Sequence, residues 1–214
     1  MKNAFLWLAT FCLGIILFVA CGDQDNLDQS TVNKDTELLP DIEKKYNEEE
    51  TEALKIASDV TLVGQQTLTA NLVKAIEDSG TAGAVVFCNI HVGGIYDSLK
   101  ANYGATVSRV SHKNRNPANA ANERELQLIE EYGNKPEVFA LTLFDDGDHY
   151  TAYKPIHISI LACTKCHGEP GVDIEEATFI TISMLYPDDK AIGFKYKDMR
   201  GLWKVEVPKA GLKL

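Results

Sequence analysis

Five consecutive residues, Cys163-Thr-Lys-Cys166-His167, bring two thiols and an imidazole into one short stretch. Several chemistries use such a set. As Cys-x-x-Cys-His it is the attachment pattern of a c-type haem. Each thiol adds S–H across a vinyl double bond with nothing lost, and two intervening residues match the reach between the vinyls. His167 then follows as the proximal iron ligand, and Gly168 lets the backbone pass the porphyrin edge without a side chain. A thioredoxin-like dithiol would use the same cysteines, but it expects a βαβ context that this chain lacks. A zinc site needs four ligands, which Cys88, Cys163, Cys166 and His167 could supply. A plain Cys163–Cys166 disulfide is sterically poor at that spacing.

Haem iron has a second face, and Cys88, His91, His112, His149, His157, Met184 and Met199 are all of ligand type. Cys88 lies at the middle of an apolar stripe, Ala84, Cys88, Val92, Ile95 and Leu99, whose spacing keeps one helix face. His91 sits at the edge of that stripe and is the alternative ligand. Spacing alone leaves two readings of Cys88 open, an iron ligand or a small buried hydrophobe. Arg109, Lys113 and Arg115 surround an Asn116-Pro117-Ala-Asn119 loop. They could pair with haem propionates through charge-assisted bonds, or the loop could simply cap the next helix.

The N-terminus sets the compartment. Lys2 precedes an apolar run from Ala4 to Ala20, and small Ala20 precedes Cys21. Residues 1–20 read as a lipoprotein signal peptide, with Leu17-Phe18-Val19-Ala20-Cys21 resembling a lipobox, although Phe18 stands where Leu is usual. Diacylated Cys21 would anchor the chain to a membrane; an uncleaved signal anchor is the other reading. Both place the folded part outside the cytoplasmic membrane, in the cell envelope facing periplasm or cell surface. Gly22 and the acidic residues after it resemble surface-export signals. Cys12 leaves with the leader, so Cys88, Cys163 and Cys166 remain, an odd number for a simple disulfide framework. With 21 Lys and Arg against 31 Asp and Glu the net charge is −10, which argues against nucleic acid as a partner.

The elements that must position the motif follow. Residues 21–40 are polar and acidic, a flexible tether. From there 41–214 reads as one domain. A helical stripe of Leu54, Leu68, Leu72 and Ile76 runs to about Gly80, in one long helix or two, and the Cys88 stripe makes the next helix. Ala105–Ser111 is β-like. Asn122 with Glu125 forms a capping-box pair that starts a helix to about Tyr132. Phe139–Phe144 and His149–Tyr153 flank Asp145-Asp-Gly-Asp148 as a hairpin. A short helix near Glu175–Leu185 and a strand at Gly201–Val207 close the chain. Helices first and antiparallel strands afterwards imply an α+β class.

From about Leu54 onward these segments resemble the family of PAS-like c-type haem domains. The resemblance is carried by Ala84-Val-Val-Phe-Cys88, by Arg109-Val-Ser-His-Lys-Asn-Arg115-Asn-Pro-Ala-Asn119 and by Tyr153-Lys-Pro-Ile. Tyr186-Pro187-Asp-Asp-Lys-Ala191-Ile-Gly193-Phe and Asp198-Met-Arg200-Gly201-Leu-Trp203 complete it. The resemblance implies a PAS-like antiparallel sheet preceded by one or two long helices, one covalent haem c, His167 as proximal ligand and Cys88 as distal ligand. Lys197 departs from the family, which often has Gly there.

The expected role is a haem-based redox or small-ligand sensor, or an electron carrier, without catalytic turnover. Family members include sensor modules joined to signalling domains. This chain carries no output domain, so a separate signalling or redox protein would be its partner. The alternative is a haem-free PAS-like binding module whose cysteines form a disulfide or hold zinc. A haem peroxidase would need distal acid–base groups, for which His91 is the one candidate.

Overall fold

The computed structural model describes residues 44–212. The segments read as signal peptide and tether, Cys21 included, lie outside the described residues. Asn47 opens the first helix, α1 (Glu48–Tyr103), with a reciprocal capping box. Its side chain accepts from Glu50 N at 2.8 Å, and the Glu50 carboxylate accepts from Asn47 N at 2.9 Å. Glu48, Glu49 and Glu50 put negative charge on the positive end of the helix dipole.

α1 is two helices, not one. Ser79 and Gly80 leave helical geometry, Gly80 with φ 67°, and separate arms 48–78 and 81–103. A side chain at Gly64 would meet Leu99 at 3.1 Å and Trp203 at 3.2 Å. On one straight helix Gly64 and Leu99 would stand about 52 Å apart. The arms therefore fold back on each other as a hairpin. The fully buried line of the first arm is Ala53, Ala57, Val60, Thr61 and Gly64. The leucine stripe expected from the sequence flanks it, with Leu54 and Leu68 packed at the core's edge. Small residues take the centre because two helices and a sheet converge there. Gly104, with φ 70°, ends α1 in a left-handed cap.

The rest is β1 (Thr106–Val110), α2 (Glu123–Asn134), β2 (Thr142–Asp145), β3 (His149–His157), α3 (Thr164–His167), α4 (Glu176–Leu185) and β4 (Met199–Pro208). The four strands form one antiparallel sheet in the order β1-β4-β3-β2. The class is α+β with the long helices first, as the sequence implied. Two cores sit on opposite faces of the sheet. α1 covers Val107, Trp203, Val205 and Val207 on one face. α2 covers Val110, Tyr153, Met199 and Leu202 on the other.

Local signals were mostly legible. The Asn122–Glu125 capping box forms as expected, and Gly147, with φ 92°, turns the β2–β3 hairpin. β2 starts at Thr142, leaving Phe139 exposed outside the strand. Among the described residues no helix is long and apolar enough to cross a membrane.

Candidate haem site

The motif is wound into a short, tight coil. A 3-10 turn, Leu161–Cys163, runs into the single turn of α3, and Thr164 Oγ1 donates to Leu161 O at 2.8 Å. Gly168 ends it, and its missing side chain matters in a different way from the porphyrin contact expected. A Cβ there would collide with Asp173 and with Thr164 O. Asp173 occupies that space to accept from Glu169 N at 3.0 Å.

Both motif cysteines are half-buried and unbridged. Cys163 packs beside Ile158, Ala191 and Phe194. Cys166 packs with Val85, Ile174 and Ile182. The His167 Nδ1 lies 2.8 Å from Ala191 O. A carbonyl can only accept, so Nδ1 carries the proton and Nε2 keeps its lone pair. Burial, then the Arg200 and Arg115 charges, push the imidazole well below its ordinary pKa, against the pull of the Ala191 carbonyl. His167 is thus held neutral and oriented, the form in which imidazole ligates a metal.

That hydrogen bond depends on the loop between α4 and β4, which charged side chains hold in place. Arg115 grips Asp189 through two bonds, at 3.1 and 3.2 Å, and also donates to Cys166 O at 2.6 Å and Ala191 O at 3.3 Å. Lys113 Nζ donates to Ile192 O. Gly193 N and Phe194 N donate to the carbonyls of Gly168 and His167 at 2.7 and 2.8 Å. Three separate sequence blocks meet here.

Cys88 comes to this place from the second arm of α1. Val85, one turn earlier, shares its packing cluster with Cys166. The Cys88 and Cys166 thiols lie within electrostatic reach of each other. Burial pushes the Cys88 thiol up, while Arg109 and Arg115 pull it down. His91 is exposed, its ring stacked on Phe87 with centroids 4.4 Å apart. Of the other candidate ligands, Met184 is 78% exposed and Met199 packs under α2. His149 lies beside Asp148 in the hairpin, and His157 meets the Phe139 ring edge-on. His112 meets the Phe194 ring edge-on.

The three cations read as propionate partners therefore differ. Arg115 and Lys113 hold main-chain carbonyls of the loop, whereas Arg109 donates to Tyr96 Oη at 2.6 Å and lies over Trp203. Asp189, Phe194 and Arg200 are site residues that spacing alone did not single out. Asp189 and Phe194 belong to a loop without periodicity, and Arg200 sits where strand alternation fails.

The chemistry of these donors suits an anionic iron-bearing group. A neutral imidazole with a free Nε2, two unbridged motif thiols and a third thiol near Cys166 lie among Arg109, Lys113, Arg115 and Arg200. By contrast, no group of three or more His, Cys, Asp or Glu among the described residues is close enough to hold a metal ion by itself.

A family model described as Tll0287-like matches residues 32–208. The crystal structure of the cyanobacterial heme-protein Tll0287 aligns with a TM-score of 0.56 at 22% identity, covering 79% of this chain and 99% of that one. At that identity the likeness shows a common fold. No curated protein matches. With the family model spanning most of the chain, sheet and motif included, this protein belongs to the Tll0287-like family.

Proposed function

We propose that the chain is an envelope lipoprotein carrying one covalent c-type haem, joined to Cys163 and Cys166. His167 is the proximal ligand and Cys88 the distal one. It acts as a redox or small-ligand sensor, or as an electron carrier, and not as an enzyme. The observation that carries this reading is the His167–Ala191 hydrogen bond at 2.8 Å, which fixes the ring beside the two motif thiols and leaves Nε2 to ligate. The solved relative is a heme-protein of the same fold, which agrees with it.

When bound, haem supplies a one-electron iron couple, and thiolate ligation shifts that couple towards the ferric state. The chain's own part is to hold His167, to bring Cys88 to the opposite side on a separate helix, and to surround the site with cations. Cys88 is half-buried on the second arm of the helical hairpin, outside the main core. Were haem held there, Cys88 could be released on reduction or on arrival of a diatomic ligand without disturbing the packing on either face of the sheet, and that release would be the switch. Anchoring through a lipid on Cys21 would keep the site at a membrane, where a separate redox or signalling protein reads it.

The test is a pyridine haemochrome spectrum on protein made in a host with haem-attachment machinery. One c-type haem per chain is expected. Cys88→Ala should keep the covalent haem but change the ferric absorption spectrum. An unaltered ferric spectrum would transfer the distal role to another residue, and no haemochrome at all would end the haem reading.

A further inference from the structure

Strand β4 breaks its own alternation at Arg200. Met199 and Leu202 both pack into the core under α2, a separation that a regular strand cannot keep on one face. The pairing explains it. Ile156 pairs with Gly201 and His157 with Met199, so Arg200 is left out of the ladder as a bulge. Its carbonyl accepts from Ser111 Oγ at 2.7 Å instead. Gly201 follows with φ 155°, where any side chain would collide with Val110 O.

The bulge turns the guanidinium away from the α2 core and over the Phe194 ring, 5.3 Å from its centroid. The same ring meets His167 edge-on at 6.3 Å. One Nη of Arg200 donates to Ser111 Oγ at 2.9 Å and Lys113 O at 3.2 Å, while Nε is buried without a partner. Burial, then the neighbouring charges of Arg109 and Arg115, lower the Arg200 pKa to about 9. Asp189, the nearby carboxylate, is already taken by Arg115. Among the described residues neither Arg109 nor Arg200 forms an ion pair. Two guanidiniums that repel each other in a partly desolvated place are unfavourable until an anion joins them.

We propose that Arg200, with Arg109 as its neighbour, is a clamp for a carboxylate of the group held at Cys163, Cys166 and His167. This rests on the haem reading and deepens it, naming the residue that grips a propionate. A free inorganic anion has the same chemistry, and the experiment separates the two sources.

The measurement is the reduction midpoint of the haem-loaded protein for wild type, Arg200→Gln and Arg200→Lys. Each is taken with and without inorganic phosphate at constant ionic strength. Removing a cation beside the site, and freeing the carboxylate it neutralised, both favour ferric iron. Arg200→Gln should therefore move the midpoint downwards, Arg200→Lys should recover most of the shift, and phosphate should leave wild type unmoved. An unshifted Arg200→Gln midpoint in a protein that shows haemochrome bands overturns the clamp alone. A saturable phosphate shift in wild type, lost in Arg200→Gln, overturns the propionate in favour of a free anion. Absence of haemochrome bands overturns the haem reading and the clamp together. If Arg200→Gln fails to fold by circular dichroism, Arg109→Gln in an Arg200→Lys background makes the same comparison.

Discussion

Under the first arm of α1, Ala53, Ala57, Val60, Trp203, Val205 and Val207 pack with hardly a polar atom among them. Around the motif the apolar clusters are small, three buried residues in each, and much of the joining is done by charged side chains on main-chain carbonyls. Arg115, Lys113 and Arg200 between them reach the carbonyls of Cys166, Ala191, Ile192 and Lys113. The first region is held by area removed from water, which is non-directional. The second is held by directional bonds to positive groups, which place a ring to within a hydrogen-bond length. The difference shows a division of labour: apolar packing supplies stability, and polar struts supply geometry.

The contrast can be broken at its strong side first. Trp203→Ala removes a side chain that is 2% exposed and touches the first arm at Gly64. It should cost about 3–5 kcal/mol in urea unfolding. A loss below about 1 kcal/mol would mean the main core is not where stability resides.

Arg115→Gln tests the other side. It leaves the buried Asp189 carboxylate unpaired and frees two carbonyls, at a cost of about 3 kcal/mol. Hydrogen exchange should show the loss confined to residues 164–168 and 189–194, with β3 and β4 amides protected as before. Equal loss across β3 and β4 would erase the distinction between the two regions.

The smallest effect lies at their junction. Lys197 adopts φ 75°, a left-handed conformation unfavourable for a side chain, and its N–H donates to Ile158 O at 2.9 Å. Gly adopts that conformation without strain, in keeping with the Gly that the resemblance implied at this position. Lys197→Gly should stabilise the protein by about 0.5 kcal/mol, read as a higher melting temperature, without altering the absorption spectrum of the haem-loaded form. Destabilisation would show that the lysine side chain contributes more than its strained backbone costs.

Local grammar made much of this fold legible. The Asn122–Glu125 capping box and the β2–β3 turn depend on neighbouring residues only, and each formed as its residues indicated. The first-arm stripe marked the helix but not its buried centre, because leucines look like the core while alanines look like filler. Close packing of two helices on a sheet reverses that ranking. The bulge at Arg200 could not be read, since it depends on how β3 and β4 slip past one another.

Composition and spacing alone determined that Cys163, Cys166 and His167 form one chemical unit, because five adjacent residues cannot be far apart. They also determined that Cys88 sits on an apolar helix face, because helical periodicity is a local property. Which residues face that unit is a long-range matter, set by the Ser79–Gly80 reversal, the sheet register and the loop struts. Only the tertiary structure could bring Cys88 near the motif, give His167 its Ala191 acceptor and turn Arg200 inward. Each of those contacts joins residues distant in the chain, and no local energy specifies them.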